Sequence, residues 1–475
     1  MKSKAGLLVT LILSTLMAGL DSSIVNISLP TMQKQFDVRM DELQWIVTAY
    51  MLAFSVCMPL TNWLKDRIGF FALFNISVSV FTIGSLLCSL STDLHSLVIS
   101  RVIQAIGGGA ISPVALSILT YSFDEDTRGK VLGWWGLGIV IGPALGPTLG
   151  GILTENYGWP SIFYINVPIG IVAVLCSYRY LGFLRHQPKV KTPFDTGGYI
   201  FFALFLVSFQ LGITRLEKDA QSLGGIIAYF AVAVISIGIF IRLASKNAYA
   251  IIDLNLFKNL HFVSALLVNM SRSAALFGGV FLLPFLLQDL MHYTEIQAGL
   301  LLLPASVILA AMMPLSGTFT DKYGPRGITI FGLAVLAVTM YLFGYISIGV
   351  SVYVIIAVMV MRGFGLGCLL TPITIATVDS VLPAQVTMAS SLMNLSIQIS
   401  GAVGVALLSV IHQHSLAGYL AEGLSDPIAQ HEALRDSFYV STVILIVSIV
   451  PAFFLPKKHY KRLAPAVATS QNLHT

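Results

Sequence analysis

Asn62-Trp63-Leu64-Lys65-Asp66-Arg67-Ile68-Gly69 comes back 255 residues later as Gly317-Thr318-Phe319-Thr320-Asp321-Lys322-Tyr323-Gly324-Pro325-Arg326, with Asp321 answering Asp66. Each copy is a short Asp-Arg/Lys-x-Gly turn between long apolar stretches. A second echo has nearly the same period. Arg101, followed by Gly107 and Pro113, is answered by Arg362, followed by Gly367 and Pro372, at offsets of 259 to 261. Turns and arginines repeated over half the chain predict a duplicated architecture.

The stretches around these turns place that architecture in a bilayer. Hydrophobic residues make up 56% of the 475 and charged residues 10%, against roughly 45–50% and 25% in soluble domains. A helix needs about 20 apolar residues to cross the hydrocarbon core. Fourteen such spans are expected, near 6–28, 43–64, 70–91, 95–121, 130–154, 161–180, 196–215, 223–244, 261–288, 296–319, 327–348, 351–375, 385–412 and 437–455. With the N-terminus inside, inner loops and ends carry 19 of the 27 Lys and Arg and outer loops carry 5. Such a bias puts both termini in the cytoplasm. The net charge of +5 therefore reflects topology and implies no nucleic-acid partner. Lys2 and Lys4 before the first apolar run resemble the start of a signal peptide, but the run holds Asp21 and shows no small-residue cleavage site, so a retained span is expected. The cysteines (Cys57, Cys88, Cys176, Cys368) lie in apolar stretches without metal-ligand spacing and read as packing residues.

Both Asp-x-x-Gly turns fall in inner loops, after spans 2 and 10, and Arg101 and Arg362 fall in spans 4 and 12. Two six-span bundles, 1–185 and 251–460, separated by two linker spans (186–250) and followed by a cytoplasmic tail (461–475), account for the repeat. Parallel repeats of six spans build the all-α major facilitator fold, with substrate near the midplane between the halves.

Span 5 contains Gly138-Ile-Val-Ile-Gly142-Pro143-Ala-Leu-Gly146-Pro147-Thr-Leu-Gly150-Gly151. Glycines let helix backbones approach closely and prolines kink a spanning helix; the bland reading is a packing seam. The segment resembles the antiporter motif of drug:proton antiporters. Three more segments carry a resemblance to the fourteen-span drug:proton antiporter family, the EmrB/QacA type, that covers nearly the whole chain. They are Leu20-Asp21-Ser-Ser-Ile24-Val25-Asn26-Ile-Ser-Leu29-Pro30 in span 1, Arg101-Val-Ile-Gln104-Ala-Ile-Gly107-Gly108-Gly109-Ala110 in span 4, and Trp159-Pro-Ser-Ile-Phe163-Tyr-Ile165-Asn166-Val-Pro168-Ile-Gly170 entering span 6. Ala298-Gly299-Leu300-Leu301-Leu302-Leu303-Pro304, opening span 10, fits the same branch. The turn after span 2 departs from the family pattern: Asn62 stands for a glycine, and Phe70 and Phe71 for a basic pair. The resemblance implies cytoplasmic gating loops at Asp66, Arg67, Gly69 and at Asp321, Lys322, Gly324, Arg326, with the first copy's lock weakened. It also implies a bacterial inner-membrane location. In a two-membrane cell it implies a periplasmic adaptor and an outer-membrane channel as partners, beside substrate, protons and lipid.

An ionisable residue in the bilayer core is a candidate functional site, and Asp21 is the only clear mid-span acid. Span 1 runs outward from residue 6, placing Asp21 about 22 Å up; span 4 runs inward, placing Arg101 about 9 Å below the outer surface. In a core of roughly 30 Å the two share a depth and can pair directly or through Gln104, with Asn26 over a turn further out. Burial raises a carboxylate's proton affinity and a neighbouring arginine lowers it, so a cavity that opens and closes makes Asp21 a proton carrier and Arg101 its partner. The alternative is a static pair holding span 1 to span 4.

The second half carries Arg272 in span 9 and Arg362 in span 12, each roughly 16 Å from its starting face, and no mid-span acid. Span 13 offers Ser390, Ser391, Asn394 and Gln398. A cavity lined by Asn26, Gln104, Asn269, Arg272, Arg362, Asn394 and Gln398 favours neutral or anionic amphiphiles over dications. Asn75, Gln210, Tyr50, Trp45 and Phe281 are weaker candidates. Trp134-Trp135 is expected in an interfacial aromatic belt, and Pro284, Pro304 and Pro314 are expected to kink their spans. Neither a metal site nor a nucleophile constellation is evident, and no cofactor is implied. Gly107-Gly108-Gly109 is not followed by Lys-Ser/Thr and is no phosphate loop. The expected function is proton-coupled export of amphipathic small molecules; the rivals are a dedicated exporter of one siderophore, lipid or peptide and a non-translocating sensor.

Overall fold

A computed structural model describes residues 4–38, 40–43, 45–187, 189–190, 192–218, 223–293, 295–347 and 349–457, all helix, turn or loop, with no strand among them. Twelve helices are long and apolar enough to cross a bilayer; a thirteenth span is the pair Trp45–Cys57 and Leu60–Ile68, bent by 54° at Pro59. The expected span at 130–154 runs inside the 33-residue helix Glu125–Tyr157, about 50 Å long at 1.5 Å per residue. Each of the fourteen expected segments thus has a helix among its described residues. Span 1 is Lys4–Phe36, span 3 Phe70–Ser89, span 4 Leu94–Ser122 and span 6 Asn166–Tyr180. Beyond the linker helices Thr196–Lys218 and Leu223–Ala244 come span 9 (Leu260–Pro284), span 10 (Glu295–Tyr323), span 11 (Pro325–Phe343), span 12 (Val352–Asp379), span 13 (Val386–Ala421) and span 14 (Asp426–Val447).

Local chemistry sets several starts. Asp93 caps span 4 by accepting from the Ser96 amide, Asn259 caps span 9, and Ser351 caps span 12, each satisfying an orphan N–H of a first turn. The glycines that close the repeated turn, Gly69 and Gly324, sit at φ +83° and +82°, a region that side chains with a Cβ avoid. That is why both copies end in glycine. Of the expected kinks, Pro304 and Pro314 lie inside the span 10 helix, and span 9 passes from α-helix at Pro284 into a π-helical turn, Phe285–Leu290.

The sequence repeat returns as a repeat of packing. Span 1 packs on spans 5 and 6, span 2 on span 4, and span 3 on spans 4 and 6; span 9 packs on spans 13 and 14, span 10 on span 12, and span 11 on spans 12 and 14. The linker helices pack on each other, and the first of them leans on spans 2 and 13 at the seam between the halves.

Across that seam, polar contacts among the described residues gather at the face carrying the basic loops. Asp321 accepts from the Gly129 and Lys130 amides at 2.9 and 3.1 Å, and Arg128 pairs with Asp379 at 3.1 Å. Ser117 bonds Thr387 at 2.7 Å, and Lys65 donates to the Ala384 carbonyl at 3.0 Å. A Cβ on Gly129 would meet the Gly317 carbonyl oxygen at 2.6 Å, so the two backbones touch here. The bundle is shut on this face. Asp321→Ala removes an acceptor from two backbone donors, worth about 1–3 kcal/mol. The expected result is a roughly 10- to 100-fold shift of the conformational equilibrium toward opening there, read by spin-label distances between spans 5 and 10; an unchanged distance distribution counts against it.

Candidate functional site

Five helices deliver one polar cluster inside the first half. Asp21, from the middle of span 1, is completely buried, and Arg101 is 2% exposed. The Arg101 Nη1 donates to Asp21 Oδ2 at 2.6 Å and to Gln104 Oε1 at 2.6 Å. Gln104 Nε2 donates to Asp21 Oδ1 and to Ser85 Oγ, each at 2.7 Å. Asn166, at the start of span 6, adds its amide to Asp21 Oδ1 at 3.2 Å and to Ser85 at 3.4 Å. Arg101 Nε reaches the Ile46 carbonyl at 3.4 Å, and its guanidinium lies 3.9 Å from the Tyr50 ring centre. The cation is thus held by a carboxylate, an amide, a carbonyl and a π-face at once.

Glycines make this approach possible. A Cβ on Gly84 of span 3 would strike the Gln104 Cα at 2.5 Å, one on Gly107 would strike the Ser77 carbonyl oxygen at 2.5 Å, and one on Gly109 would strike the Phe54 carbonyl oxygen at 3.0 Å. The Gly107-Gly108-Gly109 run is therefore the surface on which spans 2 and 3 close around the cluster.

The expected Asp21–Arg101 pairing is made both directly and through Gln104. Sequence reasoning did not bring in Ser85 or Asn166. Asn166 stood inside a quoted motif, which was the available signal; nothing marked Ser85. Asn26 is on the same helix, with its side chain outside the described residues. Asn166 Oδ1 is buried with no hydrogen-bond partner. Gln104→Ala deletes the hydrogen bonds to Asp21, Arg101, Ser85 and Cys88 and is expected to lower stability by about 1–3 kcal/mol; an unchanged melting temperature in detergent counts against the network.

The antiporter motif faces span 1. A Cβ on Gly138 would meet the Ile12 carbonyl oxygen at 2.9 Å, on Gly142 the Gly19–Leu20 backbone at 2.7 Å, and on Gly150 the Ile24 carbonyl oxygen at 2.9 Å, while Gly146 abuts Ser23. Gly151 has nothing within 4 Å of such a position. Pro143 and Pro147 lie on this helix, with their rings outside the described side chains. Trp135 corrects the belt expectation: it is buried and donates from Nε1 to Thr15 Oγ1 at 2.9 Å, a strut between spans 5 and 1, while Trp134 is exposed.

In the second half Arg272 and Arg362 are buried, 2% and 6% exposed. Arg272 Nη2 donates to Asn269 Oδ1 and Ser273 Oγ at 3.0 Å, and Asn269 in turn donates to the Met393 carbonyl and to Ser396. Asn394 returns its amide to the Ser390 carbonyl, and Gln398 donates to the Met51 carbonyl of span 2 at 3.2 Å, across the seam. Among the weaker candidates Asn75 is tied to Ser177 and Gln210 accepts from Ser55, both interhelical glue. Phe281 packs on Phe285, and Trp45 is half exposed.

The two gating turns differ. Asp66 pairs with its neighbour Lys65 at 2.8 Å, and Arg67 lies over Trp63. Asp321 crosses to the other half, Lys322 lies over Tyr323, and Arg326 donates to the Leu455 carbonyl at 2.7 Å. Beside the first turn, Trp63 donates to the Thr192 carbonyl at 3.2 Å, and a cavity of about 740 Å³ opens between span 2 and the loops flanking the linker spans.

The sequence pattern described as "Major Facilitator Superfamily" matches residues 11–405. The riboflavin transporter RibZ of Clostridioides difficile is 30% identical over 98% of this chain and 100% of its own length. The multidrug export protein EmrB of Escherichia coli is 31% identical over 85% of this chain and 79% of its own. Among solved structures the human organic anion transporter MFSD10 superposes with a TM-score of 0.67 at 13% identity, covering 95% of this chain and 100% of that one, a likeness of fold. Helix order, duplicated packing and these matches agree: the chain belongs to the Major Facilitator Superfamily, as a multi-pass membrane transporter akin to the EmrB/QacA-type drug transporters.

Proposed function

We propose that this chain is a proton-coupled antiporter that exports neutral or anionic amphipathic small molecules from the cytoplasm. The basic loops face inward, the two six-span halves rock about a midplane site, and Asp21 carries the proton. One observation carries the reading: Asp21 is the only fully buried acid among the described residues, and the groups that hold it stand on helices other than its own. Arg101, Gln104 and Asn166 come from spans 4 and 6, and a carboxylate that loses an arginine neighbour gains proton affinity while one that regains it releases the proton. A lone carboxylate beside an arginine suits protonation better than dehydration of a sodium ion. The EmrB relatives support drug export as the direction and breadth.

The test is proton release from purified, weakly buffered protein on adding candidate compounds, comparing the native chain with Asp21→Asn. Release that vanishes in the variant supports the proposal; release that persists removes Asp21 from coupling, and binding without release removes proton exchange. A second reading, transport of one dedicated metabolite, is favoured by the end-to-end match to a riboflavin transporter. A response to riboflavin alone across a broad compound panel selects it.

A further inference from the structure

Among the described residues four arginines are buried, and they divide by partner. Arg101 pairs with Asp21 at 2.6 Å and Arg128 with Asp379 at 3.1 Å. Arg272 and Arg362 have no carboxylate within ion-pair distance among the described residues, and the Nε of each, like that of Arg128, is buried without a hydrogen-bond partner. A buried cation is retained when it is paired, so two unpaired ones in one six-span half call for an anion.

The repeat says where that anion belongs. In the first half Gly146 of span 5 sits against Ser23 of span 1, two residues past Asp21. In the second half Gly404 of span 13 sits against Ala274 of span 9, two residues past Arg272. The packing register therefore sets Arg272 in the place that Asp21 holds, while Arg362 is the repeat partner of Arg101. Spans 9 and 12 are in contact, as spans 1 and 4 are. Where one half has an acid on span 1 and an arginine on span 4, the other has an arginine on each of the equivalent helices, spans 9 and 12. Asn269 fixes Arg272 by accepting from its Nη2, and is itself anchored on span 13 through Met393 and Ser396. The Nε edge stays free.

Resting on the transport reading above, we propose that Arg272 and Arg362 form a buried anion site that takes the carboxylate or sulfonate of an amphipathic substrate. The ligand's anion serves Arg362 as Asp21 serves Arg101. Guanidinium groups suit this because they present planar, paired donors to such oxyanions.

The test uses the full chain in phosphatidylcholine nanodiscs and two probes on one aromatic scaffold, a naphthalenesulfonate and a naphthyl-trimethylammonium, with a chloride titration as a third arm. The native protein is expected to bind the sulfonate and gain thermal stability, and to bind the ammonium at least tenfold more weakly. Arg272→Gln and Arg362→Gln are each expected to lose about tenfold or more in sulfonate affinity, with partial recovery in Arg272→Lys. Equal binding of the two probes overturns the site, and this arm needs no variant. Sulfonate affinity unchanged in both glutamine variants also overturns it, and stabilisation fully reproduced by chloride assigns the arginines to an inorganic ion instead. Proton release is read separately with a neutral compound. Its loss in the native protein sinks the coupling reading and leaves anion binding intact, whereas its persistence in Arg272→Gln with sulfonate affinity lost separates the two sites.

Discussion

Asp21→Asn is expected to abolish transport driven by a pH gradient while the protein still folds and binds substrate. The amide keeps the shape and can accept from Arg101, which donates to Oδ2 at 2.6 Å, but it cannot take up or release a proton. Arg101→Ala is the more damaging change. It strands the buried Asp21 carboxylate and empties the space against Tyr50, and breaking a buried ion pair from one side costs about 3–5 kcal/mol. The double variant Asp21→Asn/Arg101→Gln removes both charges together. It is expected to be more stable than Arg101→Ala and still fail to couple. If the double variant regains gradient-driven transport, the pair is a static tie between spans 1 and 4 and the coupling group lies elsewhere. The measurements are substrate uptake into inverted vesicles under an imposed pH gradient and melting temperature in detergent.

Gly142→Val is the second large effect. Even a Cβ at that position falls 2.7 Å from the Gly19 carbonyl carbon and the Leu20 nitrogen, backbone atoms next to Asp21 that cannot rotate away. Span 1 must shift, and with it the carboxylate that meets Arg101, Gln104 and Asn166. Overpacking of a tight interface costs about 1–3 kcal/mol, and a shift of about an ångström takes the 2.6–2.7 Å hydrogen bonds to Asp21 beyond bonding distance. Loss of export with expression retained is the expected outcome. Gly151→Ala, with no atom within 4 Å of the added carbon, is the control and is expected to be silent. A silent Gly142→Val would detach the motif from the Asp21 cluster. The glycines of span 5 matter because the helix they admit carries Asp21.

What the sequence disclosed and what it withheld divide along one physical line. Span number, the repeat and the depth of Asp21 and Arg101 follow from hydrophobic length and from a rise of about 1.5 Å per residue, quantities that run along the membrane normal. Which helix stands beside which is set in the plane of the membrane, and a single sequence carries no ruler for that plane. Ser85 and Asn166 were missed for this reason, and Trp135 was assigned to the lipid interface when it faces Thr15. The gating turns show the same limit. Asp66 and Asp321 read alike, yet the first pairs with its own neighbour and the second reaches across the seam.

The break in span 2 changes what has to move. Leu60–Ile68 is a nine-residue helix with Pro59 at one end, where the chain bends by 54°, and Gly69 at the other, at φ +83°. It is a short rigid lever with a pivot at each end, and Lys65, which holds the Ala384 carbonyl of the opposite half, rides on it. Swinging that lever frees this edge of the closed face without displacing the outer part of span 2, where Tyr50 lies against Arg101. Releasing this edge thus takes the movement of nine residues rather than of a whole bundle.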